Sequence, residues 1–223
     1  SMETPIVKIL KAFYVTHDVK CFVTERPAGY DFNPGQATDV SINLPEWEDK
    51  LRPFTFTNLR EQNYLEFMIK IYKDHEGVTN KLGSINAGAE LILHDVFGAI
   101  QYKGRGTFIA GGSGITPFIS IFRDLYKKQY IQGNKLIYSN KTAEDVIMAE
   151  ELHKMLKKDF LNVYTRENVI GFMERRIDRN FLIDAISDFS QNFYVCGPTD
   201  FVKNITNHLL DLGATASTMI FEK

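Results

Sequence analysis

The stretch Thr107–Phe118, TFIAGGSGITPF, constrains the fold more than any other part of this chain. Phe108, Ile109 and Ala110 form an apolar run of strand type. Gly111, Gly112 and Gly114 follow at once, and Thr116 and Pro117 open a helical pattern. A strand, a glycine-rich turn and a helix start in immediate succession bring unpaired backbone N–H groups and a partial positive charge to one point. Glycines let a ligand come close to that backbone. A phosphate or pyrophosphate suits such a place, and Pro117 suits the first helical turn. The run is not G-x-G-x-x-G, because Pro117 stands at the third glycine's place, and no Gly-Lys-Ser/Thr of a P-loop follows. Taken alone it is equally an ordinary tight strand-to-helix turn.

The rhythm on either side of this stretch differs. Before it, 6–16, 19–24, 39–44, 54–57, 65–72 and 89–93 read as strands rich in Val, Ile, Phe and Tyr, separated by Gly, Pro, Asn and Asp. Such spacing predicts an antiparallel barrel or sandwich over residues 1–104. One short helix is expected at 78–82, with Thr79 as its cap. After it, strands at 107–110, 135–138, 162–164, 192–196 and 217–221 alternate with helices at 116–130, 143–156, 179–186 and 199–212. Alternation of this kind predicts a doubly wound parallel α/β sheet over residues 105–223 with right-handed crossovers.

In such a sheet, ligands lie beyond the carboxyl ends of the strands. Three loops leave that edge: Gly111–Pro117, Ser139-Asn140-Lys141 and Cys196-Gly197-Pro198. A dinucleotide across the edge meets all three. An acidic residue after the second strand is the usual mark of NAD. Ser139-Asn140-Lys141 stands there instead and leans toward the 2′-phosphate of NADP, although a solvated Lys141 explains it as well. In the first half, Arg52-Pro53-Phe54-Thr55 puts a guanidinium, a ring and a hydroxyl within four residues. They fit a flat, phosphate-bearing cofactor, or a plain strand with an exposed Arg and a buried Phe. Gly77-Val78-Thr79 is a second anion candidate, or a loop.

Composition narrows the classes. With a net charge of −2, nothing points to nucleic acid or an anionic membrane surface. The two cysteines, Cys21 and Cys196, form no CxxC, which argues against zinc and iron–sulfur ligation by this chain. Their sparse use fits a reducing, cytoplasmic setting. No apolar run reaches a membrane span, and the start has no signal-peptide pattern; Ser1 before Met2 reads as an expression remnant. His17, His75, His94, His153 and His208 show no metal-ligand spacing. Trp47 reads as a surface anchor, a partner contact or a lid on the cofactor.

In order, Phe32-Asn33-Pro34-Gly35-Gln36, Arg52-Pro53-Phe54-Thr55, Gly77-Val78-Thr79, Gly111–Pro117 and Tyr194-Val195-Cys196-Gly197-Pro198 resemble the motifs of the ferredoxin/flavodoxin–NADP⁺ reductase superfamily. The resemblance covers nearly the whole chain. It implies an FAD-binding barrel followed by an NAD(P)H-binding domain. Arg52 then takes the FAD pyrophosphate, Phe54 stacks on the flavin in place of the usual Tyr, and Thr55 lies near N5. Asn58 stands where many relatives have Ser. Ile69 and Ile71 join the cofactor-binding set, and Gly77, Val78 and Thr79 match the pyrophosphate loop. Gly111, Gly112, Gly114, Thr116 and Pro117 match the nicotinamide-nucleotide loop, and Cys196 the cysteine near the nicotinamide. Thr55, Cys196 and Glu222 are the catalytic candidates. Many relatives end on an acid and then an aromatic; here Glu222 supplies the acid and no aromatic follows.

The resemblance also implies a reaction: hydride from NAD(P)H to FAD, then single electrons to a separate carrier such as flavodoxin or ferredoxin. A reductase component of an oxygenase and a free-flavin or quinone reductase are the nearer alternatives. A nucleotide-binding regulatory module without electron transfer is the alternative of another class. A monomer is expected. Lys8, Lys11, Arg60, Lys73 and Lys103 suit either a docking face for an acidic carrier or a plain solvated surface.

Overall fold

The computed structural model describes residues 4–98, 100–166 and 175–222, with side chains to 221. Strands β1 (Ile6–Tyr14), β2 (Val19–Glu25), β3 (Ala37–Ile42), β4 (Arg52–Thr55), β5 (Tyr64–Lys70) and β6 (Glu90–Phe97) form an antiparallel sheet in the order β4-β3-β6-β1-β2-β5. The two ends of that order meet again just past Thr55, where the Thr57 N–H donates to the Glu66 carbonyl at 2.8 Å. The sheet therefore curls into a barrel. Its interior holds Phe22, Phe32, Phe56 and Phe67; the Phe32 and Phe56 rings stack with centroids 4.5 Å apart.

A second sheet is parallel. It contains β7 (Gly106–Gly111), β8 (Lys135–Asn140), β9 (Phe160–Tyr164), β10 (Asn192–Cys196) and β11 (Met219–Glu222), in the order β11-β10-β7-β8-β9. A short helix, α1 (Val78–Lys81), lies in the barrel half. The helices of the second half are α2 (Thr116–Lys127), α3 (Ala149–Leu156), α4 (Arg179–Ala185) and α5 (Thr199–Asp211). Alternation along β7 separates the layers. Phe108 and Ala110 share a core with α2 and α3, whereas Ile109 shares one with α4 and α5. No helix among the described residues is long and apolar enough to cross a membrane.

The α2–α3 core does not stop at the parallel sheet. Val19 and Cys21 of β2 and Met68 of β5 belong to the same buried cluster as Ile115, Phe118, Ile119 and Phe122. Helix α2 is thus packed between the parallel sheet and the barrel wall. Along β2, Phe22 faces the barrel interior, while Val19 and Cys21 join the α2 cluster.

Several elements differ from the sequence expectation. The expected helix 143–156 is two pieces, a 3₁₀ turn at Ala143–Asp145 and then α3. A capping box closes the first piece, with Thr142 and Asp145 bonding each other's backbone, and Met148 takes φ 54° before α3 begins. The expected helix 116–130 ends at Lys127, and Gln129 turns to φ 62°. Tyr126, read as part of its apolar stripe, is 39% exposed. Helix α1 is capped by the Gly77 backbone, not by the Thr79 side chain.

Candidate functional site

Two separate places are built from the expected residues. The first is an open groove of about 1080 Å³ on the barrel. Arg52, Ile71, Gly77 and Val78 line it, as the sequence suggests. The fold adds Tyr14, Trp47, Lys50, Lys73 and Lys81, which sequence spacing does not link to Arg52. Asp49 and Glu76 are the acids among the lining residues, against four cations. The groove therefore carries excess positive charge. Arg52 is exposed and donates only to the neighbouring Leu51 carbonyl at 2.8 Å among the described contacts. Gly77 meets nothing within 4 Å where a Cβ would stand, so its backbone is open to a ligand. The Trp47 ring carries Lys50 Nζ at 4.5 Å and Lys81 Nζ at 5.8 Å from its centroid.

Lys20 supports this groove from behind. It is buried, and its ammonium donates to the carbonyls of Leu82 at 3.3 Å, Gly83 at 3.2 Å and Ile85 at 2.6 Å, and to Asn86 Oδ1 at 3.0 Å. Burial lowers its pKa. The segment after α1 is thereby tied to β2.

Phe54 and Thr55 follow Arg52 on β4 and are half-buried, while Pro53 is exposed. Phe54 packs against the barrel core. Ile69 is buried within that core, and Thr79 is half-buried on α1. Asn58 is buried and its side chain is committed: Nδ2 donates to the Leu59 and Tyr64 carbonyls at 3.0 and 2.7 Å, and Oδ1 accepts from the Glu66 N–H at 2.9 Å. Its visible work is to hold the barrel closure.

The second place is the carboxyl edge of the parallel sheet. Connections leave β7 toward β8 on one side, while β10 lies on the other, so the edge between β7 and β10 is the switch point where α/β sheets take ligands. Gly111, Gly112 and Gly114 fill it. A Cβ on Gly114 would stand 2.6 Å from the Cys196 carbonyl oxygen and from the Gly197 backbone. No larger residue fits there without movement. Gly112 has φ 55° with open space around it, and its carbonyl accepts from the Tyr138 hydroxyl at 2.7 Å. Thr116 starts α2 and Pro117 is buried in its first turn. Cys196 is buried at the end of β10, Gly197 is half-buried and Pro198 is exposed. Ser139 is half-buried, Asn140 buried and Lys141 exposed at the end of β8. The Asn140 Nδ2 has no hydrogen-bond partner among the described residues. Glu222 pairs with Cys196 through the β11–β10 backbone; its side chain lies outside the described residues.

The comparisons with known proteins agree with this layout. Residues 108–207 match the oxidoreductase NAD-binding domain. The chain is 26% identical over 212 residues to NADH-cytochrome b5 reductase 2 of Mycosarcoma maydis, covering 85% of this chain and 60% of that protein. It is 25% identical over 230 residues to the glycine betaine monooxygenase reductase subunit of Chromohalobacter salexigens, covering 93% of this chain and 60% of that one. The chain thus spans about three-fifths of the length of these relatives. Among solved structures, a ferredoxin NADP+ reductase from Neisseria gonorrhoeae with bound FAD and NADP superposes with a TM-score of 0.85 at 22% identity, over 100% of this chain and 99% of that chain. The chain therefore shares the two-part fold of these solved structures, and part of its second half matches the oxidoreductase NAD-binding domain.

Proposed function

We propose that this chain is a flavoprotein reductase that takes hydride from NAD(P)H and delivers single electrons to a separate carrier such as flavodoxin or ferredoxin. FAD is assigned to residues 1–104 and the nicotinamide nucleotide to residues 105–223. The observation that carries the reading is the open, cation-rich groove of Arg52, Gly77 and Lys81 on the barrel, in one chain with the glycine-built strand edge of Gly111–Pro117. The groove's charge and its exposed Gly77 backbone fit a pyrophosphate.

FAD held in this groove would supply the hydride-accepting and one-electron-donating chemistry. The chain's own work is positioning. Arg52 pairs with the pyrophosphate, aided by Gly77, Val78 and Thr79. Phe54 offers a ring and Thr55 a hydroxyl from the strand beside it. Gly111, Gly112, Gly114 and the start of α2 receive the nucleotide phosphates, and Cys196 and Glu222 border the nicotinamide. Ser139, Asn140 and Lys141 meet the adenosine ribose, where Lys141 favours NADPH. The likeness to an oxygenase reductase subunit supports a second reading, in which the carrier is an oxygenase component.

An anaerobic visible-absorption titration with NADPH, run beside NADH, tests the reading. Bleaching of a flavin spectrum is expected, with NADPH effective at the lower concentration. A protein that stays colourless after FAD is supplied, or a flavin that neither nucleotide reduces, would end it.

A further inference from the structure

We propose that Arg123 is a positioning residue that sets how the nucleotide-binding edge lies against the barrel. The inference rests on the reductase reading above. Arg123 lies on α2, six residues beyond Pro117 and so about 9 Å along the helix. Its Nε donates to Glu151 Oε2 at 2.7 Å and its Nη2 to Glu151 Oε1 at 2.8 Å, a two-pronged grip on α3. Nη1 crosses to the barrel and donates to Glu66 Oε1 at 2.7 Å and to the Thr57 carbonyl at 2.9 Å. The Thr57 hydroxyl donates to the same Glu66 Oε1 at 2.7 Å, and its N–H to the Glu66 carbonyl at 2.8 Å.

One guanidinium therefore joins two things. At one end is α2, which starts at the glycine loop. At the other is the seam that closes the barrel, two residues past Thr55. The apolar cluster of Val19, Cys21 and Met68 with Ile115, Phe118 and Phe122 already holds the halves together. Apolar adhesion is non-directional, however, and leaves sliding free. A planar fork on two carboxylates and a carbonyl fixes distance and angle. The group is well enclosed: the Arg123 side chain is 18% exposed and Glu66 14%. Burial opposes its charge, but the hydrogen bond to Glu151 and the charges of Glu66 and Glu151 outweigh it, so its pKa is raised. Buried ion networks add little net stability over apolar replacements. Geometry is the property this one supplies.

Removing Arg123 alone would leave the half-buried Glu66 and Glu151 carboxylates without their cation. The test variant is therefore Arg123→Met/Glu66→Gln/Glu151→Gln, run beside Arg123→Lys. Each is measured for thermal midpoint, FAD content, nucleotide affinity, amide hydrogen exchange at Thr57 and Glu66, and rate of flavin bleaching. The triple variant is expected to keep its fold, FAD and nucleotide affinity. Exchange at Thr57 and Glu66 should quicken, and bleaching should slow on the order of 10- to 100-fold, the scale of a misplacement near 1 Å. Arg123→Lys, with charge but no fork, should recover only part of the rate. Wild-type bleaching and wild-type exchange in the triple variant would overturn the proposal, and so would a rate loss that merely follows lost FAD or nucleotide binding. If neither nucleotide bleaches the unaltered protein, the reductase reading fails, and exchange at Thr57 and Glu66 alone then decides whether Arg123 holds the seam.

Discussion

His17 stands in the turn between β1 and β2 and meets the parallel-sheet half through Asp145, with Nε2 and Oδ1 2.6 Å apart. Asp18 lies 3.7 Å away on the same turn and is itself approached by Lys70 at 4.0 Å. The hydrogen bond to Asp145, helped by the charges of Asp18, Asp145 and Glu144, raises the His17 pKa above 6.5 although burial opposes this. For Asp145, burial raises the pKa but the His17 bond and Thr142 outweigh it, so its pKa is lowered. His17 contributes stability that is complete below pH 6.5 and lost as pH rises through its raised folded value. Asp145 contributes above its unfolded value and loses this in acid. A histidine NMR titration should show His17 above the ordinary value, and Asp145→Asn should bring it down. An unchanged His17 titration in Asp145→Asn would show that the pair is not formed. His17 is 54% exposed, so the effect on stability is small.

The glycine turn ahead of α2 is the element on which the nucleotide edge depends. Its glycines serve different needs. Gly114 must be small because the Cys196 carbonyl and the Gly197 backbone lie 2.6 Å from where its Cβ would be. Gly112 has room but takes φ 55°. Gly114→Ala should therefore cost about 1–3 kcal/mol through overpacking and weaken nucleotide binding. Gly112→Ala should cost about 1–2 kcal/mol of backbone strain with no new contact. Thermal midpoints and nucleotide titrations compare the two; equal nucleotide affinity in Gly114→Ala and the unaltered protein would refute the packing account. Beneath the turn, Phe108 stacks on Tyr194 at 4.2 Å and meets Phe118 and Phe122 edge-on at 5.0 and 4.7 Å. This aromatic cluster holds β7 and α2 in register. Phe108→Ala should destabilise the chain by about 3–5 kcal/mol, measured by denaturant unfolding; a loss below 1 kcal/mol would mean the cluster collapses around the gap.

Across the whole molecule, α2 belongs to both halves. Its apolar face shares one cluster with the parallel sheet and with β2 and β5, and Arg123 and His17 add polar ties across the same boundary. Two halves that share a core should unfold together. Calorimetry is expected to give one transition with equal calorimetric and van't Hoff enthalpies. Two resolved transitions would show that the shared cluster is too weak to couple them.

Element type and order were legible in the chain because period and punctuation are local properties. Short apolar runs between Gly and Pro turns marked the barrel strands, and the glycine turn before Thr116 marked the start of the parallel sheet. The clustering of Arg52 with Gly77 and Val78 in one groove, and of Gly114 against Cys196 and Gly197, follows the motif order. The apolar spacing of 143–156 predicts one helix because it continues through a break that only the Thr142–Asp145 capping box and the left-handed Met148 impose. Trp47, open at the sequence level between a surface anchor, a partner contact and a lid on the cofactor, lines the groove; Lys81 in the groove, Lys20 behind it, and Arg123 between Glu66 and Glu151 had no local signal. Their partners lie tens of residues away, and a charged side chain on a helix reads as solvated until packing removes the water. The sequence by itself determined the elements and the two halves. Only tertiary structure decided which distant charges meet, because that depends on how α2 is enclosed between the halves.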